Sequence, residues 1–358
     1  MQKETKLTEK PIFSIIMPAY NAESVIELSI KSVLEQRFSD FELIIIDDGS
    51  KDHTRQIAEK YMEADQRVKV ISQPNRGASS ARNHGIKCSC GRYLMFIDAD
   101  DRYHSNYLSS VFGKIQADEQ MVIVSFDLFK SGTYHKKECY INGDGGRISI
   151  SDYLGNMIKY HDQAYWGANW NKVYCADIIK NNEIKFQDNI SIGEDFYFNL
   201  CYLQYVKIIL VIQDSLYDYE ADTVDSLSKQ KRLANDYCRQ YACIIDVYDR
   251  LCEPYISEIE NYQILRDRFI KIAMWDTAWI GFLNNRYSLA KIRDTNDFIR
   301  NSFPPLYLES CSIHDNSLVD LFSNSVLNRR TLVSMILLYV VYVKRITLRT
   351  IRRIMKHE

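Results

Sequence analysis

Phe41–Ser50 reads FELIIIDDGS and Arg92–Asp101 reads RYLMFIDADD, two apolar runs that each end abruptly in a cluster of acids. Short runs rich in Ile, Leu and Phe and bounded by turn formers read as strands buried on both faces. Working outward, Pro11–Met17 (PIFSIIM) is a third such run and Val68–Ile71 a shorter one. Between them Ala22–Arg37, Asp52–Ala64 and Ala78–Lys87 carry helix-period patterns. Strands alternating with helices over residues 11–130 predict an α/β fold with a parallel sheet covered by helices.

In such sheets ligands bind beyond the carboxyl ends of the strands. The residues there are Pro18-Ala19-Tyr20-Asn21 after the first strand, Asp47-Asp48-Gly49-Ser50 after the second, and Asp98-Ala99-Asp100-Asp101 after the fourth. Ser50 or Asp52 taken singly reads as a helix cap. A parallel sheet, however, brings all three loops to one rim and gathers Asp47, Asp48, Asp98, Asp100 and Asp101 there. Carboxylates that close repel unless a cation or donors intervene, and hard oxygen ligands suit Mg²⁺ or Mn²⁺, which complete their shells with phosphate oxygens. A diphosphate ligand follows. Tyr20 offers a face to a nucleobase, although plain packing explains that residue equally well.

Other α/β chemistries fail on the letters. The loop after the first strand is PAYN, not a glycine-rich dinucleotide fingerprint, and no G-x-x-x-x-G-K-[ST] or G-x-S-x-G stretch occurs. A D-x-D-x-[TV] phosphatase is disfavoured by Arg102 after Asp100-Asp101.

Length and composition set the outer bounds. The chain has 358 residues, 46% hydrophobic and 26% charged, which fits a folded protein of two domains, or one with an appendage. Forty-five basic against 47 acidic residues remove any global case for nucleic-acid binding. The nine cysteines lack C-x-x-C spacing and read as reduced thiols that serve in packing. The polar start MQKETKLTEK carries no apolar signal stretch, so a cytoplasmic chain is expected.

Together PAYN, DDGSKDHT (Asp47–Thr54), NRGASSARN (Asn75–Asn83) and FIDADD (Phe96–Asp101) resemble the amino-terminal half of the family 2 glycosyltransferases of GT-A fold, as found in bacterial capsule and surface-glycan synthesis. The likeness weakens past Asp101, resumes at Trp170-Asn171-Lys172 and Gly193–Phe198 (GEDFYF), and covers roughly residues 11–220. The resemblance implies a UDP-sugar donor, a hexose or N-acetylhexosamine, and an inverting single displacement that needs Mn²⁺ or Mg²⁺. It implies that Pro18, Tyr20 and Asn21 line the uridine pocket, Asp48 accepts from the uracil and Asp98 faces the ribose. By the same likeness Asp100, joined by Asp101, holds the metal, and Arg82 or Arg76 approaches the nucleotide.

A displacement of this kind needs a base for the acceptor hydroxyl. Glu194-Asp195 stands where similar enzymes carry theirs, with Asp195 favoured as base and Glu194 positioning the acceptor or the base. Alone, the pair would read as acids in the first turn of a helix. Trp166 and Trp170 offer sugar platforms or core filling, and Lys172 a contact to sugar or phosphate or a plain surface charge. The Q-x-x-R-W motif and membrane spans of the family's processive synthases are missing, so one sugar per acceptor visit is expected.

The carboxyl-terminal third reads differently. The expected division is a catalytic domain over 1–225, a helical domain over 226–328 and a basic helix over 329–358. Thr331–Val343 is uncharged for 13 residues, too short for the roughly 20 that span a bilayer. Beyond it Arg345, Arg349, Arg352, Arg353 and Lys356 share one helical face, opposite Leu348, Ile351, Ile354 and Met355. That pattern describes a helix lying on an anionic membrane surface, or alternatively an oligomerisation helix. The expectation is therefore an enzyme peripheral to the inner face of the cell membrane, acting on a glycan acceptor such as a lipid-linked precursor or a glycoprotein glycan. A non-catalytic GT-A scaffold subunit is the other reading.

Overall fold

The computed structural model describes residues 10–259 apart from 117–118, 131–132, 138–144, 160–165, 191–192 and 221–233, and scattered positions beyond, among them the run 293–297. The chain divides into two compact units, Met1–Ser226 with Pro254–Glu260, and Leu227–Glu253 with Asn261–Glu358.

The first unit is built on one mixed sheet. Its opening strands are β1 (Phe13–Ala19), β2 (Phe41–Asp47), β3 (Val68–Ser72) and β4 (Tyr93–Phe96), with helices α1 (Ile26–Leu34), α2 (Thr54–Ala64) and α3 (Ala78–Cys88) between them. All seven residues of β2 and all four of β4 are buried, which explains their unbroken apolar runs. β1 lies parallel to β2 and to β4, and β2 parallel to β3, so the loops after β1, β2 and β4 do open at one edge. Helix α1 begins four residues later than its sequence pattern suggests. The amides of Val25 and Ile26 both turn back to the Ala22 carbonyl, which makes Ala22–Val25 a turn.

Beyond β4 the sequence pattern is less regular, and the structure there holds β5 (Arg102–Tyr103), α4 (Tyr107–Lys114), β6 (Met121–Lys130), β7 (Thr133–Lys137), β8 (Gly146–Ser149) and α5 (Ile150–Lys159). They are followed by β9 (Lys172–Cys175), α6 (Ala176–Asn181), α7 (Glu194–Leu203) and β10 (Ile208–Glu220). The strand order is β3-β2-β1-β4-β9-β6-β10-β5. β9 is antiparallel to both β4 and β6, so β6, and β10 parallel to it, run in the direction of β1–β4. Strands β1–β4 and β6 share one direction, as the parallel sheet expected over residues 11–130 requires, while β5 and β7–β9 run against them and make the whole sheet mixed. Register shifts between Ile212 and Tyr217 bend β10. The Tyr217 hydroxyl at that bend donates to Asp101 at 2.5 Å.

Gly91 shows how closely the sheet packs. A Cβ there would lie 2.6 Å from the backbone nitrogen of Ser14 on β1, which has no room to yield. Gly91→Ala is expected to cost about 1–3 kcal/mol, read as a lowered midpoint in thermal unfolding.

In the second unit α8 (Ala234–Cys252) buries Ile244, Ile245, Tyr248 and Leu251. The rest of the helical domain expected over 226–328 lies largely outside the described residues, and the basic tail over 329–358 does so almost entirely. Among the described residues no helix is long and apolar enough to cross a membrane.

Candidate active site

The loops after β1 and β2 are stitched together. The Asn21 amide donates to Ser50 Oγ at 3.1 Å, and the Lys51 amide donates to Asn21 Oδ1 at 2.8 Å. Asn21 adopts φ 48°, a left-handed conformation that asparagine tolerates better than most residues. Asp52 does act as a helix-start residue, accepting from the Thr54 amide at 3.0 Å and the Glu23 amide at 3.1 Å. Beside this frame Tyr20 is 44% exposed, a ring available for stacking, and Pro18 is half-buried at the end of β1.

Asp48 is buried, and its carboxylate is already engaged. One oxygen accepts from Gln73 Nε2 at 2.8 Å and the Arg76 amide at 2.9 Å, and the other from the Gly77 amide at 2.7 Å. The expected uracil acceptor therefore acts in this structure as the anchor of residues 73–77. Gly77 has φ 89°, a region that L side chains rarely adopt. From that anchor α3 starts, and α3 carries Arg82.

Arg82 is buried, and its guanidinium bridges two parts of the chain. Nη2 lies 3.0 Å from Asp98 on the loop after β4; Nη1 lies 3.2 Å from Asp195 and 3.8 Å from Glu194 at the start of α7. Burial works against the guanidinium charge, but Asp195, Asp98 and Glu194 outweigh it and hold Arg82 protonated above its ordinary range. Four of the residues picked from sequence thus meet through one side chain.

Asp195 sits beside a second donor, Asn169 Nδ2, at 3.1 Å. Burial is the largest influence on its carboxyl and pushes it up to about 7, with Glu194 and Asp98 adding to the rise and Arg82 and Lys172 opposing it. Its side chain is still 21% exposed, so a ligand can reach it. A carboxylate poised near neutrality and open to solvent suits a general base.

Three expectations need correction. Asp101, expected beside Asp100 as a metal ligand, is buried, and both its oxygens are occupied, by Tyr217 Oη at 2.5 Å and the Glu220 amide at 2.8 Å. Burial, then the charges of Asp98 and Asp100, push its carboxyl well up, so it serves as a fastener to β10. Trp170, open to a sugar platform or core filling in the sequence and named there as an acceptor contact, takes the core role, buried and stacked on Tyr217 and Tyr219 with ring centroids 4.6 and 5.0 Å away. Lys172, expected at the ligand or on the surface, is fully buried; its ammonium donates to the Ala168 carbonyl and to Asn171 Oδ1.

Asp100 is half-buried at the end of the loop after β4. Asp98 and Asp100 stand two residues apart in this loop, both half-buried, and carboxylate oxygens of this kind would suit a hard divalent cation. Elsewhere His104, Asp127 and Asp218 bring ligand atoms within 4.8 Å of one another. His104 Nε2 is 2.8 Å from Asp218 and 3.7 Å from Asp127, and the hydrogen bond to Asp218 raises its pKa, so the imidazole links Asp127 on β6 with Asp218 on β10.

Sequence reasoning missed Asn169, Asn199 and Tyr217. Asn199 had a signal, since it stands one turn after Asp195 on the same helical face. Asn169 and Tyr217 reach the site only through tertiary contacts.

Residues 14–178 match the family described as Glycosyl transferase family 2. An uncharacterized glycosyltransferase of Bacillus subtilis, EpsJ, is 32% identical over 210 residues, 58% of this chain and 61% of that protein's own length. The Staphylococcus aureus poly(ribitol-phosphate) beta-N-acetylglucosaminyltransferase TarP is 29% identical over 264 residues, 70% of this chain and 76% of its own. Among solved structures, S. aureus TarS residues 1–349 in complex with UDP-GlcNAc superposes with a TM-score of 0.69 over 94% of this chain and 92% of that one, at 18% identity. At that identity the likeness concerns the fold, which is GT-A. Residues 14–178 thus match the family 2 glycosyltransferases, and the chain is similar over 58–70% of its length to proteins named glycosyltransferases.

Proposed function

We propose that the protein transfers one sugar from a UDP-sugar to a hydroxyl of a surface-glycan acceptor, with inversion at the anomeric carbon and with a divalent metal. The supporting observation is the single cluster in which Arg82 joins Asp98, on the donor-side loop, to Asp195, a carboxylate lifted to about 7. In the reaction the acceptor oxygen attacks the anomeric carbon and the bond from that carbon to the diphosphate oxygen breaks. The acceptor's proton passes to Asp195, and UDP departs with the bonding electrons. Tyr20 stacks on the uracil, and Pro18 and Asn21 shape its pocket. Asp98 faces the ribose, Glu194 orients the acceptor, and Asp100 would hold Mn²⁺ or Mg²⁺, which supplies positive charge to the departing diphosphate.

TarP's name and the TarS complex support UDP-GlcNAc as the first donor to try. Calorimetric titration of UDP in Mn²⁺ and again in EDTA tests the donor half of this reading. Binding that tightens at least tenfold with Mn²⁺ is expected, and binding indifferent to metal would remove the metal from the account.

The basic tail extends the proposal to a site of action at the inner face of the membrane, reached through attraction of about 1 kcal/mol per basic residue. Deleting residues 329–358 is expected to move the protein from anionic vesicles to the soluble fraction in a flotation assay. Full-length protein that ignores anionic vesicles would overturn the interfacial reading and shift the tail's role to oligomerisation. A scaffold subunit without turnover is the second reading, and the joint presence of metal, nucleotide and base candidates speaks against it.

A further inference from the structure

We propose that Asn169 is a positioning residue for Asp195, fixing which carboxylate oxygen receives the acceptor's proton; this rests on Asp195 being the base. Asn169 is fully buried, and its Nδ2 donates to Asp195 Oδ1 at 3.1 Å. Arg82 Nη1 donates to the same oxygen at 3.2 Å. With both donors on Oδ1, Oδ2 is the oxygen assigned to the acceptor. The amide cannot be reversed without setting its oxygen against a carboxylate, so the charge of Asp195 fixes its orientation.

What makes Asn169 more than a chance neighbour is the way its segment is held. Asn199 follows Asp195 by one turn of α7, and its Nδ2 donates to the carbonyls of Trp166, Gly167 and Ala168 at 3.2, 3.0 and 3.1 Å. Asn199 Oδ1 in turn accepts from the buried Tyr174 hydroxyl on β9 at 2.6 Å. Lys172 clamps the same segment through the Ala168 carbonyl. Helix α7 therefore grips residues 166–168 with Asn199, and the next residue of that segment reaches back to Asp195. The loop forms a closed bracket around the carboxylate. Trp170 and Lys172, candidates for acceptor contact in the sequence reading, instead belong to the segment that supports the base. Such support matters because small misplacement of a reacting group costs large factors in rate.

The groups facing Asp195 are Arg82 from α3, Asp98 from the loop after β4, Lys172 and Tyr174 from β9, and Glu194 on its own helix. A donor to the ionised carboxylate lowers its pKa, so removing the Asn169 amide raises it.

Full-length protein labelled with ¹³C at the aspartate carboxyls tests this, with the Asp195 signal assigned by its loss in Asp195→Asn. Asn169→Ala is expected to move the Asp195 titration upward by about one pH unit. Asn169→Asp, nearly isosteric, should move it further because a second carboxylate then faces the first, and it carries the test should the alanine variant not fold. UDP affinity in both variants is expected to match the wild type. A titration unmoved in Asn169→Asp overturns the positioning role and leaves the base assignment standing. Undiminished turnover in Asp195→Asn overturns the base assignment itself, and the proposal with it.

Discussion

Asp195→Asn is expected to lower turnover by about 10²–10⁴-fold, the usual contribution of a general base, while UDP binding in Mn²⁺ stays within about twofold of wild type. The substitution keeps the shape that Arg82 and Asn169 grip but removes the site for the acceptor's proton. The wild-type pH profile follows from the same carboxyl. Because it is held up to about 7, its ionised form grows as pH rises through that value, so kcat should climb between about pH 6 and 8 and level off above. An ordinary carboxylate would already be ionised throughout that range. A flat profile from pH 6 to 8, or an Asp195→Asn variant at wild-type speed, would assign the proton elsewhere. Glu194, 3.8 Å from Arg82, would then be the first replacement to consider.

Asp100→Ala carries the second large effect. Loss of the carboxylate assigned to the metal is expected to lower turnover by about 10²–10³-fold, equivalent to about 3–4 kcal/mol of transition-state stabilisation. It should also erase the difference between UDP titrations in Mn²⁺ and in EDTA, a readout independent of turnover. Asp101→Asn is the control, because that carboxyl bonds inward to Tyr217 and the Glu220 amide. Its metal response should persist. The reverse pattern, with the metal response lost in Asp101→Asn and kept in Asp100→Ala, would exchange the two roles.

The sequence made β1 to β4 legible for a simple reason. β1, β2 and β4 are buried almost throughout and so read as nearly unbroken apolar runs too short for a helix, whereas β3, with Lys69 exposed, shows only its β-branched residues. The later strands obey other rules. β10 mixes QDSLYDYE with its apolar start because it bends through register shifts and is only half covered at its end, and β9 is a four-residue antiparallel insertion between parallel neighbours. Neither pattern announces a strand. The acidic residues of the site were legible as motifs, but their partners were not. Asp101 is occupied by Tyr217, 116 residues away, and Arg82 reaches Asp195 across 113. Contacts that distant in the chain leave no local spacing to read. The same limit explains Trp170 and Lys172, whose residue types suit a ligand surface yet here stack on Tyr217 and Tyr219 of β10 and bond to the Ala168 carbonyl and Asn171, respectively.

Wild-type protein, Asp195→Asn and Asp100→Ala, each offered a panel of UDP-sugars beginning with UDP-GlcNAc in Mn²⁺, Mg²⁺ or EDTA with crude membrane lipid as acceptor, give the most direct test. The account predicts metal-dependent UDP release from one or two sugars by the wild type, and none above background from either variant. Release that survives EDTA and both substitutions, or release of inorganic phosphate in place of UDP, would contradict it.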